Sequence, residues 1–174
     1  MDRCESARYL HALRGSGHLP QALGLHVKYF TSEWWGSGSE GGGEVFETYR
    51  RYIESVKDRL PQAVLEFDTS HTLHDSEIKA IACDFARDEV HLVLHGWDTA
   101  FEAKTRYELT FNNVTLFEQL FPQQEYVESE LGDLGYWEWE ALAESTELRL
   151  LFVSSATFRL RFRGFSFKHE ALQS

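Results

Sequence analysis

His71-Thr72-Leu73-His74-Asp75-Ser76-Glu77-Ile78 divides the chain into two kinds of sequence. Beyond it, apolar residues recur at every second position, the spacing of half-buried strands. Ile81, Cys83 and Phe85 alternate with polar or small neighbours, as do Val90, Leu92 and Leu94, and Tyr107, Leu109 and Phe111. Ile78 falls out of step with Ile81, which predicts a bulge or bend near Ala80. Arg87-Asp88 and Asn112-Asn113 supply turn residues. Residues 126–131 read as a further strand, with a single helical turn as the alternative. A meander then follows: Trp137 and Trp139 alternate with Glu138 and Glu140, then come Leu148, Leu150 and Phe152, and last Phe158, Leu160 and Phe162 between Arg159, Arg161 and Arg163. A row of Arg beside a row of Glu can pair across strands, each pair contributing about 0.2–1 kcal/mol. The apolar alternation places Cys83 in the core, as a small hydrophobe.

On the other side of the dividing stretch the period is helical. Val45, Tyr49, Tyr52, Ile53, Val56 and Leu60 form one apolar stripe over residues 44–60, opposite Arg50, Arg51, Glu54, Lys57 and Asp58. Glu44 and Glu47 suit the helix N-terminus, and Pro61 marks its stop. Before it, Gly36-Ser37-Gly38-Ser39-Glu40-Gly41-Gly42-Gly43 matches G-x-G-x-x-G in form. Glu40 and Glu44 would repel phosphate, and no parallel strand–helix repeat follows, so residues 36–43 read as a flexible linker. Residues 27–35 alternate as a short strand ending in Trp34-Trp35. Residues 1–26 lack a sustained pattern and read as a poorly ordered extension. The expected architecture is therefore α+β. It has a mostly antiparallel sheet or sandwich of seven to eight strands packed with one N-terminal amphipathic helix, as a single globular domain over residues 27–174.

Composition narrows the class of partner. The chain has 174 residues, enough for one self-sufficient core, and aromatic residues make up 14% of it. The formal net charge of −11 argues against nucleic acid, whose phosphates need clustered Lys and Arg. No apolar run is long enough for a membrane span and no leader pattern opens the chain, so a cytoplasmic location is expected. Two cysteines, Cys4 and Cys83, give no disulfide framework. Acid is concentrated: residues 107–148 contain ten Asp or Glu and no Lys or Arg.

Two groups could carry chemistry. His71, His74 and Asp75 offer two imidazoles and a carboxylate within five residues, the donor types of a metal-activated water. The bland alternative is that Asp75 and Ser76 merely turn the chain into the first strand. His91 and His95 share a strand face about 13 Å apart, too far to hold one metal ion between them. Ser76 lacks the elbow of a nucleophile. The second group is acidic and aromatic: Glu138, Glu140, Trp137 and Trp139, near Tyr126 and Tyr136. Carboxylates among aromatics suit capture of a basic protein, while core tryptophans with solvated glutamates are the plain alternative.

Lys28-Tyr29-Phe30-Thr31-Ser32-Glu33-Trp34-Trp35 resembles the KYFTKEWY-like opening of a bacterial family of unknown function. His74-Asp75-Ser76-Glu77-Ile78, with Leu92-Val93-Leu94 and Leu109-Thr110-Phe111-Asn112-Asn113-Val114, is similar to its β-rich "HDS" region. The likeness covers residues 27–35 and 71–168. It implies a β-rich fold and supplies no activity or cofactor. If members open at this point, Val27 would be the initiator. HDS-type openings also look like those of some toxin-immunity proteins. The first functional expectation is thus a non-enzymatic protein-binding module, immunity-like, that uses its acidic aromatic face on a basic partner without a cofactor. The alternative is a small metal-dependent hydrolase centred on His71, His74 and Asp75.

Overall fold

The computed structural model describes residues 27–39, 41–121 and 131–173. The expected extension over residues 1–26, Cys4, and all but the last residue of the strand expected at 126–131 lie outside them. Eight strands form two antiparallel four-stranded sheets, in agreement with the α+β expectation. The first sheet joins β1 (Glu77–Asp84), β2 (Glu89–Trp97), β3 (Lys104–Asn112) and β8 (Gly164–Ala171) in the order β1-β2-β3-β8. The second contains β4 (Leu116–Leu120), β5 (Leu134–Ala141), β6 (Thr146–Phe152) and β7 (Thr157–Phe162) in the order β4-β7-β6-β5. The expected irregularity near Ala80 is present as a register shift between Ile78 and Ala80.

The apolar alternation of both sheets points inward to one core. Leu92, Leu94, Tyr107, Leu109 and Phe111 from the first meet Trp139, Leu148, Leu150, Phe152, Leu160 and Phe162 from the second. Burying each such side chain stabilises the fold by about 1.5–3 kcal/mol. β1 departs from the pattern: Cys83 is exposed, Ile81 is 37% exposed and Phe85 is 91% exposed. The core reading of these three is therefore corrected. β1 is an edge strand of the first sheet.

Among the described residues three α-helices stand where a single helix was expected. α1 (Ser32–Gly36) occupies the end of the presumed strand at 27–35. Thr31 causes the change: its Oγ1 accepts the Trp34 N–H at 3.1 Å, an N-cap that starts a helix there. α2 (Gly42–Val56) corresponds to the apolar stripe, with one 3₁₀ turn over Lys57–Arg59 after it. In the described part of the segment expected as a linker, the chain turns between α1 and α2. Gly36 ends α1, Gly42 and Gly43 begin α2, and Gly38 and Gly41 take the positive φ that the reversal needs. Pro61 does not only stop α2. As N-cap it also opens α3 (Gln62–Ser70), which buries Val64 and Phe67.

The dividing stretch stitches the two sheets together. Asp75, at φ 57°, donates its N–H to the Leu134 carbonyl at 2.9 Å, and Leu134 donates to the Ser76 carbonyl at 2.8 Å. This bridge joins the start of β1 to the start of β5. Beside it, the Ser76 side chain sits so close to Gly96 that a Cβ there would meet Ser76 Oγ at 2.0 Å.

Candidate functional site

β5 is an edge of the second sheet, and α2 lies along it. The Trp139 N–H donates to Tyr49 Oη at 2.7 Å, and the Ala141 N–H to Tyr52 Oη at 3.0 Å. The stripe residues Tyr49 and Tyr52 thus satisfy backbone donors that an edge strand would otherwise expose. Between this helix, α3 and β5 lies a cavity of about 280 Å³. Phe46, Tyr49, Arg50 and Ile53 line it from α2, at the i, i+3, i+4 and i+7 spacing of one helix face. Phe30, Tyr136, Trp137 and Asp68 complete the wall.

Aromatic rings dominate the lining. Phe30 stacks on Tyr136 with centroids 5.1 Å apart and 16° between planes, and lies 5.1 Å from Phe46. Trp34 and Trp35 meet Tyr136 edge-on at 5.2 and 5.3 Å. A Cβ at position 135 would meet the Trp35 ring at 2.1 Å, so only glycine lets that ring reach the wall. His74 Nδ1 donates to the Gly135 carbonyl at 2.5 Å, and its ring packs 5.5 Å from Tyr136. His74 thus packs against the β5 side of this wall.

Asp68 is the one acid among the lining residues. Its Oδ1 accepts the Trp139 indole N–H at 3.1 Å. Burial holds its carboxyl above the ordinary value, and the indole N–H groups of Trp139 and Trp137 pull it partway back. The Trp137 N–H is itself buried and makes no complete hydrogen bond. At the rim, Arg50 is drawn to Glu47 at 2.8 Å. The cavity therefore offers ring faces and a partly desolvated carboxylate, a combination that attracts an organic cation.

The acidic aromatic face is split by the pleat of β5. Trp139 is buried in the core and Trp137 packs against it. Glu138 and Glu140 point the other way, where Glu138 is buried rather than solvated. Its carboxylate accepts the backbone N–H of Lys28 and, at 2.9 Å, that of Tyr29. Arg149 Nη1 lies 3.2 Å from Glu138, and Arg149 Nη2 lies 2.5 Å from Glu140. Lys28 Nζ also pairs with Glu140. As an exposed acidic surface these four residues are corrected: Trp137 alone lines the cavity.

The same sheet face carries the cross-strand charge ladder. Register aligns Glu138, Arg149, Arg159 and Glu118 in one row across β5, β6, β7 and β4. Glu147 sits between the guanidiniums of Arg149 at 2.6 Å, Arg159 at 3.0 Å and Arg161 at 2.9 Å. Burial pushes the Glu147 carboxyl up, but these cations outweigh it and hold it below the ordinary value. Arg149 is likewise buried, and Glu147, Glu140 and Glu138 together overcome that penalty to raise its pKa.

The metal-ligand reading of His71, His74 and Asp75 is corrected as well. His71 turns to the α3–β8 side, where its ring lies 4.4 Å from His169 and 5.1 Å from Phe167. Burial, and then His169, lower its pKa. His74 faces β5, and its Nε2 lies 3.8 Å from Asp75. Among the described residues no three His, Cys, Asp or Glu side chains converge as metal ligands would. His91 instead meets Thr110 Oγ1 at 3.0 Å. Asp68 and Phe46 were absent from the sequence reading. Pro61 followed by Val64 and Phe67 was the available signal for the helix that carries Asp68.

The fold and cavity define a two-sheet antiparallel sandwich with a helical flank that roofs an aromatic pocket. The chain belongs to the family described as Protein of unknown function (DUF4085), whose model matches residues 20–155. No curated protein matches the chain. Among the described residues no helix is long and apolar enough to cross a membrane.

Proposed function

We propose that the protein is a non-enzymatic binding module that takes a cationic side chain of a basic protein partner into the aromatic pocket above Asp68. The observation that carries this reading is the Asp68 carboxylate, held by the Trp139 indole N–H at the wall of a cavity faced by Phe30, Phe46, Tyr49, Tyr136 and Trp137. At about 280 Å³ the cavity lies at the small end of ligand sites, a size for one side chain rather than a large substrate. Ring faces attract a cation with about 0.5–2 kcal/mol, and desolvation strengthens the carboxylate's share. An immunity-like role against a basic toxin is one member of this class. The acidic charge of the chain would steer such a partner inward.

Choline and its neutral isostere 3,3-dimethylbutanol test the pocket directly. Tryptophan fluorescence should report tighter binding of the cation, by roughly 2- to 30-fold, the range equivalent to 0.5–2 kcal/mol. Asp68→Asn should erase the difference. Equal binding of both probes, or none of either, would sink the reading.

A further inference from the structure

We infer that His71 and His169 form an acid-sensitive latch, which holds α3 on β8 while both rings are neutral and releases the helix when they take up protons. The latch is one rung of an aromatic zipper between these two elements. Phe67 seats its ring between Phe165 and Phe167, with centroids 5.9 and 5.1 Å away. One helical turn on, at the C-cap of α3, His71 sits in the same way between Phe167 and His169, at 5.1 and 4.4 Å. Four helix residues rise about 6 Å and two strand residues about 6.7 Å, so the rungs of α3 and β8 stay in step over this length. The Phe67 rung carries no titratable group. The His71 rung carries two.

The surroundings of this rung favour neutral rings. From β3, Tyr107 meets His71 edge-on at 5.7 Å, and its hydroxyl donates to the Trp97 carbonyl at 2.7 Å. On α3, Glu66 draws a proton towards His71, while Asp68 is turned to the Trp139 indole. On β8, Lys168 and Glu170 alternate with Phe167 and His169; Lys168 stands in register with Glu108, and Glu170 pairs with Arg106 at 3.1 Å. Burial is the largest influence on His71 and the nearness of His169 the second, and both lower its pKa; Glu66 opposes them and is the weakest. A base lowered in the folded state gives stability that is whole above its unfolded value of about 6.5 and is lost as pH falls through the folded value. Two imidazolium rings at this spacing also repel one another. Asp68 responds in the opposite sense, because a proton there relieves its burial, so acid acting on it tightens α3. Since α3 carries Asp68, the latch governs one wall of the aromatic pocket, whatever that pocket binds.

Amide exchange of the full chain tests the latch, read as protection factors so that the intrinsic pH dependence of exchange cancels. In the native chain, protection of residues 64–71 should fall by roughly 3- to 10-fold between about pH 7.5 and about pH 5, while that of β6 stays level. His71→Phe keeps the rung aromatic and should abolish the fall. His169→Phe should reduce it, and His91→Gln on β2 should leave it as in the native chain. Equal native protection at both pH values would overturn the latch. So would a fall that persists in His71→Phe, or one of the same size in β6. Imidazole NMR of the native chain decides the matter even if a Phe variant fails to fold: His71 should titrate below about 6.5, and titration at or above that value would overturn the proposal.

Discussion

Asp68 carries its charge where burial disfavours it, and that cost makes it informative. Its carboxyl is raised mainly by burial, with the indole N–H groups opposing. A carboxyl raised in the folded state adds stability that is complete below the unfolded value of about 3.9 and is lost as pH climbs through the folded value. At neutral pH the ionised group therefore weighs against the fold. Asp68→Asn keeps an oxygen for Trp139 and removes the charge. We expect it to raise stability at pH 7 by about 1 kcal/mol, a Tm increase of roughly 2–4 °C, and to shrink this gain at pH 3.5. Calorimetry at the two pH values reads it. A Tm that falls at pH 7 would show that the carboxylate serves the fold rather than a ligand. Residues that cost stability and line a cavity are where function is to be sought.

Hydroxyl groups as well as apolar burial hold the elements together. Tyr49 and Tyr52 accept N–H groups of β5, so Tyr49→Phe and Tyr52→Phe each leave a strand donor without its partner. An unsatisfied buried donor costs about 1–3 kcal/mol. The Tyr49 bond is the more buried, so its loss should cost more in urea titration. It should also accelerate exchange of the Trp139 amide, and unchanged exchange there would refute the role assigned to α2. β4 and β8, whose faces are less sharply alternating, were not read as strands, whereas six of the eight described strands were legible, because a period of two with β-branched and aromatic residues is the pattern of a half-buried strand. The α2 stripe was legible for the same reason. Residues 27–35 were misread because a single cap at Thr31 outweighs alternation, and α3 was missed because Pro61 can end one helix and open the next. The pocket could not be seen in sequence, since its wall comes from residues 30, 46–53, 68 and 136–137. Glu138 and Glu140 read as solvated because their partners, Lys28 and Arg149, approach only in the folded chain.

Across the whole molecule the charge ladder sets the response to acid. Glu147 has a depressed carboxyl, and a depressed acid gives stability that is present above the unfolded value of about 4.3 and lost as pH falls through the folded one. Unfolding should therefore be promoted below about pH 4 as this group takes up a proton. Glu147→Gln removes the anion shared by Arg149, Arg159 and Arg161, but Arg149 keeps Glu138 and Glu140 and Arg159 keeps Glu118, so the expected loss at pH 7 is about 1–3 kcal/mol. The variant and the native chain should converge in stability near pH 2, as denaturant titrations across pH would show. A constant gap at every pH would mean that packing, and not charge, makes Glu147 important.

The bridge between Ser76 and Leu134 also bears on how the chain reaches this form. β1, β2 and β3 can zip as neighbours, and so can β5, β6 and β7, each through short loops that close quickly. The bridge instead joins partners far apart along the chain, and so must wait for both meanders. The local meanders are thus expected to form first, and the bridge, together with the β3–β8 and β4–β7 pairings, later. The His-Asp-Ser turn is the clasp that fixes their relative register at the end.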